Sequence, residues 1–166
     1  MVMNQPPARR QQPAVNAGRL WAGGAAAAVV AALIAIAGIV IARGIFDIPV
    51  LAPKGDGVWG GASTVWYAVW AAVAGLLATA VAHVLLLTTP QPRTFFGWII
   101  GLATVIAALW PFTSGADLDA KIVTMLLNLV IGIAIGSLVS AVAQSAIRPE
   151  PMIRPEPRGD VGPPRP

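Results

Sequence analysis

Four long apolar runs alternate with short polar segments along the chain, and their lengths predict its class before any single residue is weighed. Residues 20–42 (LWAGGAAAAVVAALIAIAGIVIA) contain no charge, and a helix needs about 20 such residues to cross the hydrocarbon core of a bilayer. Runs of similar character occupy residues 65–87, 94–110 and 122–147. These predict four transmembrane helices, so the expected fold class is an all-α integral membrane bundle over residues 20–147. A secretory signal peptide fits the first run poorly, because its apolar region is shorter, roughly 7–15 residues, and ends in a small-residue cleavage site.

The polar segments supply the connections. Residues 43–64 (RGIFDIPVLAPKGDGVWGGAST) are rich in Gly, Pro and charge and read as a loop with turn chemistry. TTPQPR at 88–93 reads as a tight turn, and Pro111 ends the third run. Asp117 can cap the fourth helix, since a carboxylate accepts unpaired first-turn N–H groups and suits the positive dipole end, and capping is the structural reading of both Asp117 and Asp119. Residues 1–19 and 148–166 lack the apolar content to bury a core and are expected to be disordered tails. The second is Pro-rich and repeats IRPEP at 147–151 and 153–157.

Charge adds an orientation. Short cytoplasmic segments of membrane proteins are enriched in Lys and Arg. Arg9, Arg10, Arg19, Arg93, Arg148, Arg154, Arg158 and Arg165 fall on one side of the four spans, against Arg43, Lys54 and Lys121 on the other. Both termini are therefore expected in the cytoplasm of a multi-pass plasma-membrane protein. Trp59, Trp66, Tyr67, Trp70 and Trp110 gather at the outer boundary, with Trp21, Phe95, Phe96 and Trp98 at the inner one, as interfacial aromatic residues do.

Candidate residues within the spans are few. Small residues at four-residue spacing let helix backbones approach, which marks Gly97 and Gly101 in the third helix as packing positions. In the fourth helix, Asn128, Gly132, Gly136, Ser140 and Gln144 form a series of the same spacing. His83, the single histidine, lies about 10 Å inward of the centre of its helix at 1.5 Å per residue, close to the depths of Ser140 and Gly97. With Gly75 and Thr79 it forms a ridge, so His83 is expected to face the bundle and bond near Ser140. His83, Asn128, Ser140 and Thr79 are the candidate functional or interhelical polar residues.

The remaining inventory mainly excludes. There is no cysteine, hence no disulfide, thiolate nucleophile or thiolate ligand. No carboxylate falls in a span, as proton-coupled transport requires, and the ligand count fails for zinc, iron or a bis-histidine haem. Ser140 with His83 lacks a carboxylate to orient the base. The basic tails carry no nucleic-acid signature. The expectation is a non-enzyme with no cofactor, metal or nucleic acid, whose partners are membrane lipid and another membrane protein or itself. The alternative is a small transporter or channel-like component with a polar path near His83, Thr79, Asn128 and Ser140.

The layout also resembles a known group. An Arg-bearing tail, an Ala/Val-rich helix, the loop IARGIFDIPVLAPKGDGVW, a third helix ending in LWPF and a polar loop opening the last helix are similar to small four-helix actinobacterial membrane proteins grouped as a domain of unknown function. The resemblance covers about residues 18–147. It implies a fold and a membrane location, and no activity. Members tend to carry a histidine in the last helix where this chain has Asn128, in TMLLNLV.

Overall fold

Packing in this protein is governed by the size of its side chains more than by their polarity. Lipid tails are as apolar as leucine, so a spanning helix gains nothing by hiding Leu or Ile and gains close contact by hiding Ala and Gly. In a computed structural model that describes residues 16–53, 59–61 and 63–146, four helices follow that rule. They are α1 (Ala17–Gly44), α2 (Thr64–Thr88), α3 (Pro92–Leu109) and α4 (Leu118–Ala146). With the one-turn 3-10 extension of α3, Trp110–Thr113, all four are long and apolar enough to cross a membrane. The chain folds as an all-α integral membrane bundle. Apart from residues 16–19, the sequence assigned above to tails lies outside the described residues.

Helix α2 buries Ala68, Ala71, Gly75, Ala78 and Ala82, alternating steps of three and four, the spacing of one helix face. Helix α1 answers with Gly24, Ala27, Ala28, Ala31 and Ala35. The two backbones approach so closely that a Cβ added to Gly75 falls 2.9 Å from the Cα of Ala28, and one added to Gly24 falls 2.3 Å from the Cγ2 of Thr79. Helix α4 presents larger residues, Leu127, Ile131, Ile135 and Val139. Two of its side chains fit notches in α1: Leu127 over Gly38 and Val142 over Gly23.

Around the bundle, α1 packs on α2 and α4, α4 also holds α3, and α2 and α3 touch only sparsely. Helix α3 buries just Phe96 and Ala108. Phe96 is buried, while Phe95, Trp98, Trp66, Trp70 and Trp110 are exposed.

Each helix end has an identifiable cause. Asn16 caps α1 by accepting from the Arg19 N–H (3.1 Å), and its own N–H donates to the Ala146 carbonyl (2.9 Å), tying α1 to the end of α4. Asp47, with φ 53°, turns the chain out of α1 so that the Ile48 N–H returns to the Ala42 carbonyl (2.9 Å); a left-handed residue after a helix does this. Pro92 opens α3 at a position where its missing N–H costs nothing. Helix α4 begins at Leu118, earlier than the apolar run from 122, because the charged residues of its first turn belong to the helix. There the carboxylate that accepts is that of Asp119, from the Ala120 N–H (2.8 Å); Asp117 contributes its backbone carbonyl to the Lys121 N–H (3.2 Å).

The 43–64 segment holds structure its sequence did not announce. Leu51–Pro53 (β1) and Trp59–Gly61 (β2) pair as a short antiparallel ribbon with Leu51 opposite Gly61. Val50 and Leu51 are buried, and the Leu51 N–H donates to the Thr124 hydroxyl (3.0 Å), which donates to the Ala120 carbonyl (2.7 Å). The ribbon is thereby fastened to α4. This end of the bundle is called the ribbon end below.

Candidate functional site

Sparse contact between α2 and α3 opens the bundle along one seam. The result is a cleft of ≈ 1300 Å³, walled by α2 and α3 and floored by α4, with Leu51 and Ala52 of the ribbon at its upper rim. Its lining is almost wholly apolar, and none of the described lining residues is charged. The cleft is open along the α2–α3 seam, so in a bilayer its apolar walls face lipid chains or the side chains of a partner.

The polar groups in it come from three helices. On the first turn of α2, the Tyr67 hydroxyl donates to Oδ1 of Asn128 on α4. Nδ2 of Asn128 donates to the Ala107 carbonyl on α3 (2.7 Å). That carbonyl would ordinarily accept from the N–H four residues on, but residue 111 is a proline and has none. Asn128 thus fills the vacancy that Pro111 leaves inside the hydrocarbon, where an unsatisfied backbone group costs several kcal/mol. Thr104, one turn below Ala107, lies against Gly132, whose missing Cβ makes room for it. The hydroxyls of Thr79, Thr88 and Thr124 donate to the carbonyls four residues back. Among the described residues the Thr104 hydroxyl has no such partner; its oxygen sits over Gly132, and the residue lines both the cleft and the neighbouring α3–α4 groove.

The residues singled out from sequence are dispersed. Thr79 is fully buried between α1 and α2, bonded to the Gly75 carbonyl (2.9 Å) and seated on Gly24. His83 is half-buried at the other end of α2, its ring 6.3 Å from that of Trp21 and tilted by 44°. The expected bond from His83 to the neighbourhood of Ser140 is not formed; Nδ1 of His83 is buried without a partner. Ser140 faces a separate groove of ≈ 390 Å³ between α3 and α4. Equal depth did not bring the two together, because each lies one residue, about 100° of helix rotation, past a buried position, Ala82 and Val139. Asn128 lines the α2–α3 cleft and Ser140 the α3–α4 groove, and Thr79 and His83 line neither.

The glycines divide in the same way. Gly132 receives Thr104 and Gly136 receives Ile100, with an added Cβ 3.0 Å from its Cγ2. Gly97 and Gly101 receive nothing within 4 Å; they face the α3–α4 groove. Tyr67, Thr104, Pro111 and Thr124 were not anticipated as a set. The one available signal was Pro111, which orphans a carbonyl four residues earlier and so calls for a donor nearby.

Neither the curated proteins nor the solved structures offer a match to the chain. The profile of DUF6069, a family of unknown function, matches residues 15–145, from the start of α1 to the last turn of α4 and including the Tyr67–Asn128–Ala107 link, and the chain belongs to that family.

Proposed function

We propose that this multi-pass membrane protein is a non-catalytic accessory or scaffold subunit of the plasma membrane, working by helix packing against another membrane protein or against its own copies. The observation that carries the reading is the state of α3. It is held on one side by α4, buries only Phe96 and Ala108, and turns Gly97 and Gly101 toward a groove where nothing meets them. Small residues at that spacing suit close approach of another helix. Asn128, meanwhile, joins three helices and Thr124 anchors the ribbon to α4. Such bonds act as glue in membranes. Among the described residues no group of three His, Asp or Glu is assembled.

The test is purification of the tagged chain in a lipid-preserving detergent, followed by native mass determination. A stoichiometric partner or a defined homo-oligomer, dissociated by Gly101→Leu, is expected; a lone monomer that Gly101→Leu leaves unchanged counts against the reading.

Both termini belong in the cytoplasm on this proposal, supported by the excess of Arg and Lys on that side. Because the chain has no cysteine, single cysteines report directly. One at the exposed Ser63 should react with an impermeant maleimide in intact cells, and one at Thr89 should not. The reverse pattern would invert the orientation.

A further inference from the structure

We propose that the α2–α3 cleft is a binding site for an uncharged ester lipid with a free hydroxyl, of which diacylglycerol is the simplest. The inference stands on the cleft and is independent of any partner on α3.

Three properties of the cleft select that chemistry. Its walls are apolar over ≈ 1300 Å³ and its described lining carries no charge, so none of the described lining residues compensates a phosphate. Its polar groups also retain hydrogen-bonding capacity: Thr104 has an unused hydroxyl, Asn128 has a second N–H beyond the one given to Ala107, and the Tyr67 oxygen donates its proton but accepts none. Two donors and an acceptor match ester carbonyls beside a hydroxyl.

Depth is the third property. Asn128 lies four residues to the ribbon side of the middle of α4 (Leu118–Ala146), about 6 Å at 1.5 Å per residue. Thr104 lies nearer still to the middle of its span, Pro92–Thr113. The hydrocarbon boundary is about 15 Å from the mid-plane, so both sit well below it. A charged head cannot sink to that level without stranding its charge in hydrocarbon, and it keeps its esters near the boundary. An uncharged lipid can slide inward until its oxygen atoms meet Thr104 and Asn128. Sparse packing between α2 and α3 leaves it a lateral entrance from the bilayer. A transmembrane helix in the same place would leave these spare donors and acceptor facing hydrocarbon.

The test uses the full chain in a mild detergent with dioleoylglycerol or dioleoylphosphatidylglycerol at equal mole fraction, read by native mass spectrometry. Dioleoylglycerol is expected to be retained one to one and in preference to the phospholipid. Thr104→Val, which removes one donor, should weaken retention by about three- to tenfold. Ala103→Phe, on the cleft wall, should abolish it. If Ala103→Phe lowers the thermal midpoint, Ala74→Phe on the opposite wall fills the same space. Equal retention of both lipids, retention of neither, or dioleoylglycerol held equally well by the plugged variants overturns the proposal. So does a polypeptide that cross-links into the cleft, an outcome that would leave the accessory reading intact.

Discussion

Nδ2 of Asn128 stands 2.7 Å from the carbonyl oxygen of Ala107, the one acceptor of α3 that Pro111, four residues on, leaves without its usual donor. The side chain replaces a main-chain bond. Asn128→Leu is therefore expected to cost about 1–3 kcal/mol, the penalty for an acceptor left unsatisfied in hydrocarbon, rather than the smaller net value of an ordinary hydrogen bond. Pro111→Ala restores an N–H at that position and should reduce the cost of Asn128→Leu. A double-mutant cycle on unfolding in detergent measures the coupling; additive effects would refute the relationship.

The glycines give a second prediction, because they separate by what faces them. Gly75→Ala drives a Cβ to 2.9 Å from the Cα of Ala28, and backbone cannot rotate aside as a side chain can. A loss of about 1–3 kcal/mol, typical of overpacking, should follow. Gly97→Ala and Gly101→Ala meet nothing within 4 Å, so helix propensity alone decides, and they should be neutral or stabilising by up to about 1 kcal/mol. Thermal unfolding of the three variants in one detergent gives the order.

How far the sequence speaks depends on which property is asked of it. Four spans are legible because length and apolarity suffice to define them. The buried faces are not legible from polarity, since both sides of a spanning helix are apolar. They are legible from size: Ala68, Ala71, Gly75, Ala78 and Ala82 mark the inner line of α2. The more conspicuous series from Asn128 through Gly132 and Gly136 to Ser140 runs beside the buried line of Leu127, Ile131, Ile135 and Val139, on the flank toward α3. Asn128 stood out as a polar residue within a span, but its partner Tyr67 is 61 positions away, and nothing local records that pairing. The ribbon escaped notice because strands of three residues containing Pro and Gly show no alternation.

Thr124 provides a third prediction. It accepts from Leu51 and donates to Ala120 while almost completely buried. Thr124→Val keeps the shape and removes the acceptor, leaving the Leu51 N–H unsatisfied. Hydrogen exchange at Leu51 should then accelerate, by about five- to 150-fold for a loss of 1–3 kcal/mol. Thr124→Ser should hold exchange near the native rate. Unchanged exchange in the valine variant would show that the ribbon is fastened by other contacts.

His83 supplies the last prediction, and its sign is the opposite. Its Nδ1 is buried and makes no bond, and its nearest ring is Trp21 on α1. An orphaned polar atom is a cost, so replacing it by an apolar group of similar bulk is neutral or stabilising. His83→Leu should leave the unfolding midpoint unchanged or raise it, and should alter Trp21 emission in a chain whose other tryptophans are replaced by Phe. A loss of more than about 1 kcal/mol would mean that Nδ1 is bonded in the membrane by a group from outside the bundle, and His83 would then join the accessory surface. Asn128→Leu and His83→Leu thus remove two polar side chains to opposite effect, because one completes a backbone and the other completes nothing.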